Sequence, residues 1–289
     1  MADFLQAYSI QHWLESCPQG YLAGTSYGHA PDARESEVFS ANEILRDDAI
    51  RMTVQLVAGE RCALAASSGL VNAAPDDASK LFLATQTLDE ARHVEIFTQR
   101  LRDLGVAEGD LDQVIRDRVE PSLVKFAEAL LEKVDKKDFV AGVVGQNLIL
   151  EGMAFTVFEL MHAMHADANP KFAQTLSGTI ADERRHVGFG ENRIASLIRE
   201  HGDRKAEVQR LQREMSGHML ATFASAFSKS RPAFAEGRRV FTDREPVDFH
   251  GTNLAAAELS EIEGALAATV LNEFQSRLGR VGIEFQAPS

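Results

Sequence analysis

Apolar positions along this chain recur at intervals of three and four, the period of a helix that buries one face. From about Glu37 to Ala74 that period runs unbroken, and Pro75 stops it. Proline lacks the N–H that the helix ladder needs, and its ring clashes with the preceding turn. Asp76 and Asp77 then place negative charge at the start of a second helix reaching about Leu104, where a first turn favours it. A shorter amphipathic helix follows Pro121, and a third long one runs from about Lys137 to Ala166 before Asn169-Pro170. The fourth continues to about Glu200, with Gly202 as its stop. A fifth spans roughly Asp203 to Ser228. Residues 229–254 show no period and read as an irregular arm over the bundle or a partner subunit. A last amphipathic helix covers about Leu254–Leu278. No β-strand alternation stands out. The expected class is all-α: one domain over 1–289, with a core bundle at about 37–200 and C-terminal helices and arm at 203–289.

Four of the apolar stripes are interrupted in the middle by polar residues. In the second long helix the stripe reads Leu83, Gln86, Glu90, His93, Phe97, Leu101, Leu104; in the fourth it reads Phe172, Leu176, Thr179, Glu183, His186, Gly190, Ile194, Leu197. Both interruptions belong to one phrase, Asp-Glu-x-Arg-His, at 89–93 and 182–186, and these are the only Asp-Glu dipeptides in the chain. Each phrase has a forerunner. Glu60 lies among Leu56, Val57, Ala63 and Leu64, and Glu151 lies among Val144, Asn147, Leu148 and Phe155. The interval from Glu90 to Glu183 equals that from His93 to His186, and the interval from Glu60 to Glu151 is two residues shorter.

A lone carboxylate in a helical core is costly unless it is paired or binds a metal. An antiparallel four-helix bundle brings the midpoints of these helices to one level, where four carboxylates and two imidazoles converge. Two divalent cations balance the four negative charges, and oxygen-rich donors with one nitrogen per metal suit Fe(II) or Mn(II). Asp89 and Asp182 are then the acceptors for the N–H of the opposite phrase's histidine. By contrast, Met161-His162-Ala163-Met164-His165 closes the third helix, too far along the rise from Glu151 to share its site. Cys62 reads as a small buried thiol. Arg92 and Arg185 are expected to pair with nearby acids and carry no assigned chemistry.

Composition narrows the partners. The 289 residues carry a formal charge of −13, which argues against a nucleic-acid partner. Cys17 and Cys62 make no disulfide framework and fit a reducing compartment. No apolar run stands out as a membrane span, and the start of the chain lacks a signal peptide's basic and apolar segments. The expectation is a cytoplasmic protein with no membrane partner.

Residues 37–200 resemble the ferritin-like di-iron carboxylate superfamily. Within it, "DEARHVEIF", "LEGMAF" and "DERRHVGFG" look most like the small subunit of class I ribonucleotide reductase and the ligand-binding oxidases related to it. The resemblance implies O2 activation at a pair of irons, or Mn/Fe, held by Glu60, Glu90, His93, Glu151, Glu183 and His186, with Glu90, Glu183 or both bridging. It implies a homodimer, and an electron donor such as a reductase or ferredoxin. Departures from the pattern choose among its members. The reductase subunit usually has a radical tyrosine four residues after the first histidine, where this chain has Phe97; its three tyrosines are Tyr8, Tyr21 and Tyr27. The tyrosine–valine cross-link of the related oxidases cannot form on a core helix without tyrosine. The aryl-amine N-oxygenases add a third histidine where Thr179 stands. The expected function is an oxidase or oxygenase acting on a small organic substrate by hydroxylation, desaturation or N-oxygenation. Phe82, Phe97, Phe155, Phe158 and Phe189 are candidate pocket walls. The alternatives are a ferroxidase or iron-handling protein, and a tyrosine-free radical-generating subunit.

Overall fold

The computed structural model describes residues 29–30, 32–241, 248–249, 251–253 and 257–287. Its helices are α1 (Glu37–Ala41), α2 (Glu43–Val71), α3 (Asp77–Asp103), α4 (Leu111–Arg118), α5 (Pro121–Asp135), α6 (Phe139–His165), α7 (Pro170–Glu200), α8 (Arg204–Lys229), α9 (Arg231–Val240) and α10 (Leu259–Arg280). Local chemistry sets the starts of the core helices. The Asn42 side chain accepts from the Leu45 N–H, Asp76 from Ser79, Asp138 from Ala141 and Asn169 from Phe172. Each cap satisfies an amide that the first turn leaves without a carbonyl. Helices α2 and α3 pair along their length, as do α6 and α7, and the two hairpins face each other to form the bundle. Helices α5, α8 and α10 cover its outside, burying Phe126, Met215 and Phe274 against it.

Several expectations need correction. The first helix is interrupted: Asn42 adopts extended dihedrals, caps α2 with its own side chain and separates off the short α1. Residues 229–254 are not all an irregular arm, because 231–240 form α9. Pro232 sits in the first turn of α9, where a missing N–H costs nothing, and Arg238 and Arg239 sit in the last, where the helix dipole favours cations. Ala233 is the one buried residue of α9, with Phe234 and Val240 half-buried against the core, and so short a helix repeats its apolar face too few times to set a period. The same applies to α4, which buries only Leu111 and Ile115. Helix α10 begins at Leu259 rather than Leu254, set by a reciprocal capping box between Glu258 and Glu261. Residues 248–249 and 252–253 form a two-residue antiparallel pairing, too short for alternation to show in sequence. Most of 242–256, and Tyr8, Trp13, Cys17, Tyr21 and Tyr27, lie outside the described residues.

Helix α6 corrects a further expectation. By length and hydropathy it is apolar enough to cross a membrane, yet 89% of its most apolar window is buried inside the bundle. Its run Val144–Leu150 is wound as a π-helix directly before Glu151. A π turn closes at five residues instead of four, and such insertions concentrate at functional sites.

Candidate metal centre

The four core helices bring all six expected side chains to one place. Glu60 comes from α2, Glu90 and His93 from α3, Glu151 from α6, and Glu183 and His186 from α7. Each is at most 5% exposed, and Glu90 and His93 are sealed completely. His93 Nδ1 lies 3.4 Å from Glu60, 3.3 Å from Glu90 and 3.4 Å from Glu183. His186 Nδ1 lies 3.2 Å from Glu90, 3.5 Å from Glu183 and 3.9 Å from Glu151. The ligand atoms form two clusters, Glu60–Glu90–His93–Glu183 and Glu90–Glu151–His186. Glu90 belongs to both.

The far sides of the two imidazoles are held crosswise. His93 Nε2 lies 3.2 Å from Asp182 Oδ2, and His186 Nε2 lies 3.2 Å from Asp89 Oδ2. A carboxylate only accepts, so each Nε2 carries the proton and each Nδ1 faces the cluster. Two arginines hold the aspartates in turn. Arg92 pairs with Asp182, and the Arg185 guanidinium donates to Asp182 at 2.8 Å and Asp89 at 2.7 Å. The arginines without an assigned role therefore lock the acids that lock the histidines.

An amide network on the Glu151 side was not anticipated. Gln86 Nε2 donates to Glu151 Oε1 at 2.6 Å, Gln146 Nε2 to the same oxygen at 3.1 Å, and Asn147 Nδ2 to Glu151 Oε2 at 3.0 Å. Gln86 Oε1 accepts from Asn147 at 3.2 Å. Gln86 and Asn147 were visible on the interrupted stripes. Gln146 was not, since five residues on an α-helix point well away from one another; the π turn brings Gln146 and Glu151 onto one side.

These buried groups shift one another's ionisation. Burial pushes the Glu60 carboxyl up to about 8, against the pull of His93. Burial, with the charges of Glu183 and Glu90, holds Glu151 well above its ordinary range. Burial also opposes ionisation of Glu90, but His186 and His93 outweigh it and hold that carboxyl well below its usual value. Burial works against charging either histidine; the carboxylates, Glu60 foremost for His93 and Glu90 foremost for His186, raise both well above 6.5. Among the described residues, Glu90 Oε2, His93 Nδ1, Glu183 Oε2 and His186 Nδ1 are buried with no hydrogen-bond partner. Buried polar atoms are normally satisfied. Four such donor atoms on one interior space fit a pair of cations, whose entry displaces protons.

A small cavity of about 60 Å³ reaches Glu60, Glu151 and Glu183 between α2, α6 and α8, walled mainly by apolar groups such as Leu56, Leu123, Ala154 and Phe223. Of the five candidate phenylalanines only Phe158 lines it. Phe82 and Phe189 stack at 4.1 Å beside His186, and Phe155 lies under Arg277; they serve as packing. His162 sits 3.0 Å from the Ser177 hydroxyl, outside both ligand clusters. Cys62 is a buried free thiol, pushed up to about 12 by burial and the charges of Glu151 and Glu90.

No family profile matches the sequence, and no curated protein does. Solved structures do match. An R2-like ligand-binding oxidase with an aerobically reconstituted Mn/Fe cofactor superposes with a TM-score of 0.75 at 15% identity, covering 96% of this chain and 92% of that one. A protein with aldehyde deformylating oxidase activity from Synechococcus gives a TM-score of 0.63 at 20% identity, covering 84% of this chain and 94% of that one. At these identities the likeness establishes the fold: this chain is a ferritin-like helical bundle built like the R2-like ligand-binding oxidases.

Proposed function

We propose that the chain is an O2-dependent, non-haem di-metal oxidoreductase, an oxidase or oxygenase acting on a small organic substrate. The observation that carries this reading is the set of four buried donor atoms without a hydrogen-bond partner on Glu90, His93, Glu183 and His186, all within the two ligand clusters. Glu60, Glu90, His93 and Glu183 would hold one ion, and Glu90, Glu151 and His186 the other, with Glu90 common to both. The neighbouring oxidases with Mn/Fe cofactors support the same reading; Fe/Fe and Mn/Fe both suit the donor set. Reduced ions of this kind supply the electrons for O2 chemistry, delivered from outside by a reductase or ferredoxin.

The chain's own residues contribute binding, orientation and dryness. Asp182 and Asp89 fix the histidine tautomers. Gln86, Gln146 and Asn147 fix both oxygens of Glu151. A carboxylate that accepts three amide N–H groups is held in one orientation, whereas Glu60 faces the His93 ring and borders the apolar cavity. The substrate side is therefore the face bounded by Glu60, Glu183 and α8.

Anaerobic Fe(II) titration of metal-free protein, with Mn(II) tried alongside, tests the reading. About two ions bound per chain, followed by an absorbance transient after one O2 pulse, is the expected result. Failure to bind either ion sinks it.

A further inference from the structure

The two ligand clusters differ in what already holds their oxygens. Gln86 is sealed from solvent on α3, and its Nε2 lies 2.6 Å from Glu151 Oε1 and 3.4 Å from Glu90 Oε1. His186 Nδ1 faces the same two oxygens, at 3.9 Å and 3.2 Å. The oxygens that the second cluster would offer a cation are therefore the ones that the Gln86 amide engages. Glu151 Oε1 accepts from Gln146 as well, at 3.1 Å. A carboxylate oxygen offers about two lone-pair directions, so Oε1 has none left for an ion. The first cluster is free of this. Glu90 Oε2, which His93 Nδ1 faces at 3.3 Å, accepts no hydrogen bond, and neither does Glu183 Oε2. The first cluster also has three carboxylates, Glu60, Glu90 and Glu183, where the second has Glu90 and Glu151.

The orientation of the Gln86 amide is set from outside the clusters. The His186 backbone carbonyl can only accept, so Asn147 presents its Nδ2 there, at 3.2 Å. The same Nδ2 lies 3.0 Å from Glu151 Oε2 and 3.2 Å from Gln86 Oε1. Gln86 thus turns its oxygen to Asn147 and its N–H groups to the carboxylates. Gln146 has a further anchor, donating to the Ala63 carbonyl at 3.2 Å. Among the described residues the Gln86 Nε2 has only Glu151 and Glu90 as acceptors. Of the amides on Glu151 Oε1, Gln86 is the one whose release gives up bonds only to groups that an ion would take over. Gln146 and Asn147 would still orient Glu151 after it leaves.

We propose that Gln86 closes the second ligand cluster to a cation until its amide withdraws from Glu151 and Glu90. The two ions then enter in a fixed order, the first at Glu60, Glu90, His93 and Glu183. This ordering rests on the metal centre proposed above and assigns Gln86 the control of its second ion.

Titration of the metal-free full chain with Mn(II), followed by electron paramagnetic resonance, separates the two steps, because an isolated bound ion and a spin-coupled pair give different signals. The wild-type chain is expected to take up its first equivalent as isolated ions and to form coupled pairs only in excess. Gln86→Ala removes the N–H groups. It should tighten the second step by about tenfold or more, the scale of one hydrogen bond to a charged group, and leave the first step unchanged. A residue that only supports packing would weaken both steps when removed. Gln86→Glu keeps the size and an acceptor for Asn147 but puts an oxygen where the N–H groups stood, so it too should tighten the second step alone. It supplies the test should Gln86→Ala fail to fold. A second step unchanged or weakened in the folded variant, or coupled pairs from the first additions to the wild-type chain, overturns the ordering and leaves the metal centre standing. If the wild-type chain binds neither Mn(II) nor Fe(II), the metal centre itself fails and the ordering falls with it.

Discussion

Asp182 is the residue on which most of the surrounding order converges. It is fully buried and receives His93, Arg92 and Arg185 at once. Burial works against its ionisation, but those three cationic partners hold its carboxyl below the usual range. Asp182→Asn keeps the shape and removes the charge, so His93 is no longer fixed with Nδ1 toward the cluster. Metal affinity is expected to fall by roughly 10–100-fold, read by competition against a chromophoric chelator; unchanged affinity would mean His93 is positioned by packing alone. Asp182→Ala goes further by leaving Arg92 without its acid. Breaking a buried pair from one side costs about 3–5 kcal/mol, and urea denaturation of the metal-free protein should show a loss of that order. A different asymmetry separates Glu90 from Glu60. Glu90 belongs to both ligand clusters and Glu60 to one. Glu90→Ala should therefore lose both ions, whereas Glu60→Ala keeps close to one per chain by elemental analysis. Equal losses in the two variants would contradict the sharing of Glu90.

Among the elements, the π segment of α6 decides how closely two core helices approach. Gly190 on α7 faces it, and a Cβ added there would stand 2.4 Å from the Asn147 Cβ. Asn147 is also bonded to the His186 carbonyl at 3.2 Å and to Glu151, so it has little freedom to move aside. Gly190→Ala is expected to cost about 1–3 kcal/mol, the usual penalty of overpacking. Gly264→Ala in α10 meets nothing within 4 Å and should instead stabilise by about 0.5–1 kcal/mol. Opposite signs in urea denaturation are the check. The contrast also shows what a sequence reveals. The stripes carrying Glu90, His93, Glu183 and His186 were legible because α3 and α7 keep one period throughout, and a buried charge is conspicuous on an apolar stripe. The π turn was not legible, because nothing in Val144–Leu150 announces a change from four residues to five; Gln146 was missed for that reason. Helices α4 and α9 were missed for another. They bury one or two residues each, and periodicity reports burial, not helicity.

At the scale of the whole molecule, the candidate metal centre sits where the two hairpins meet, and four helices contribute to it. Without cations, the bundle must keep four carboxyl groups and two imidazoles out of water, an arrangement that Glu60 and Glu151 tolerate only with their carboxyl groups raised well above the ordinary range. Unfolding returns all six groups to water and disperses them over four segments, so the unfolded chain offers no comparable site. Ions that bind the folded form alone stabilise it by mass action, about 2.7 kcal/mol per site at a hundred times Kd. For a chain of this size each kcal/mol moves Tm by roughly 1.5–2 °C, so saturating Mn(II) should raise Tm by on the order of 10 °C, and a chelator should reverse it. Mg(II), which avoids imidazole ligands, should do much less. Glu60→Ala should retain part of the Mn(II) response and Glu90→Ala almost none. An equal rise in Glu90→Ala would place the bound ion elsewhere on an acidic surface, and the convergence of the four helices would then have a purely structural explanation.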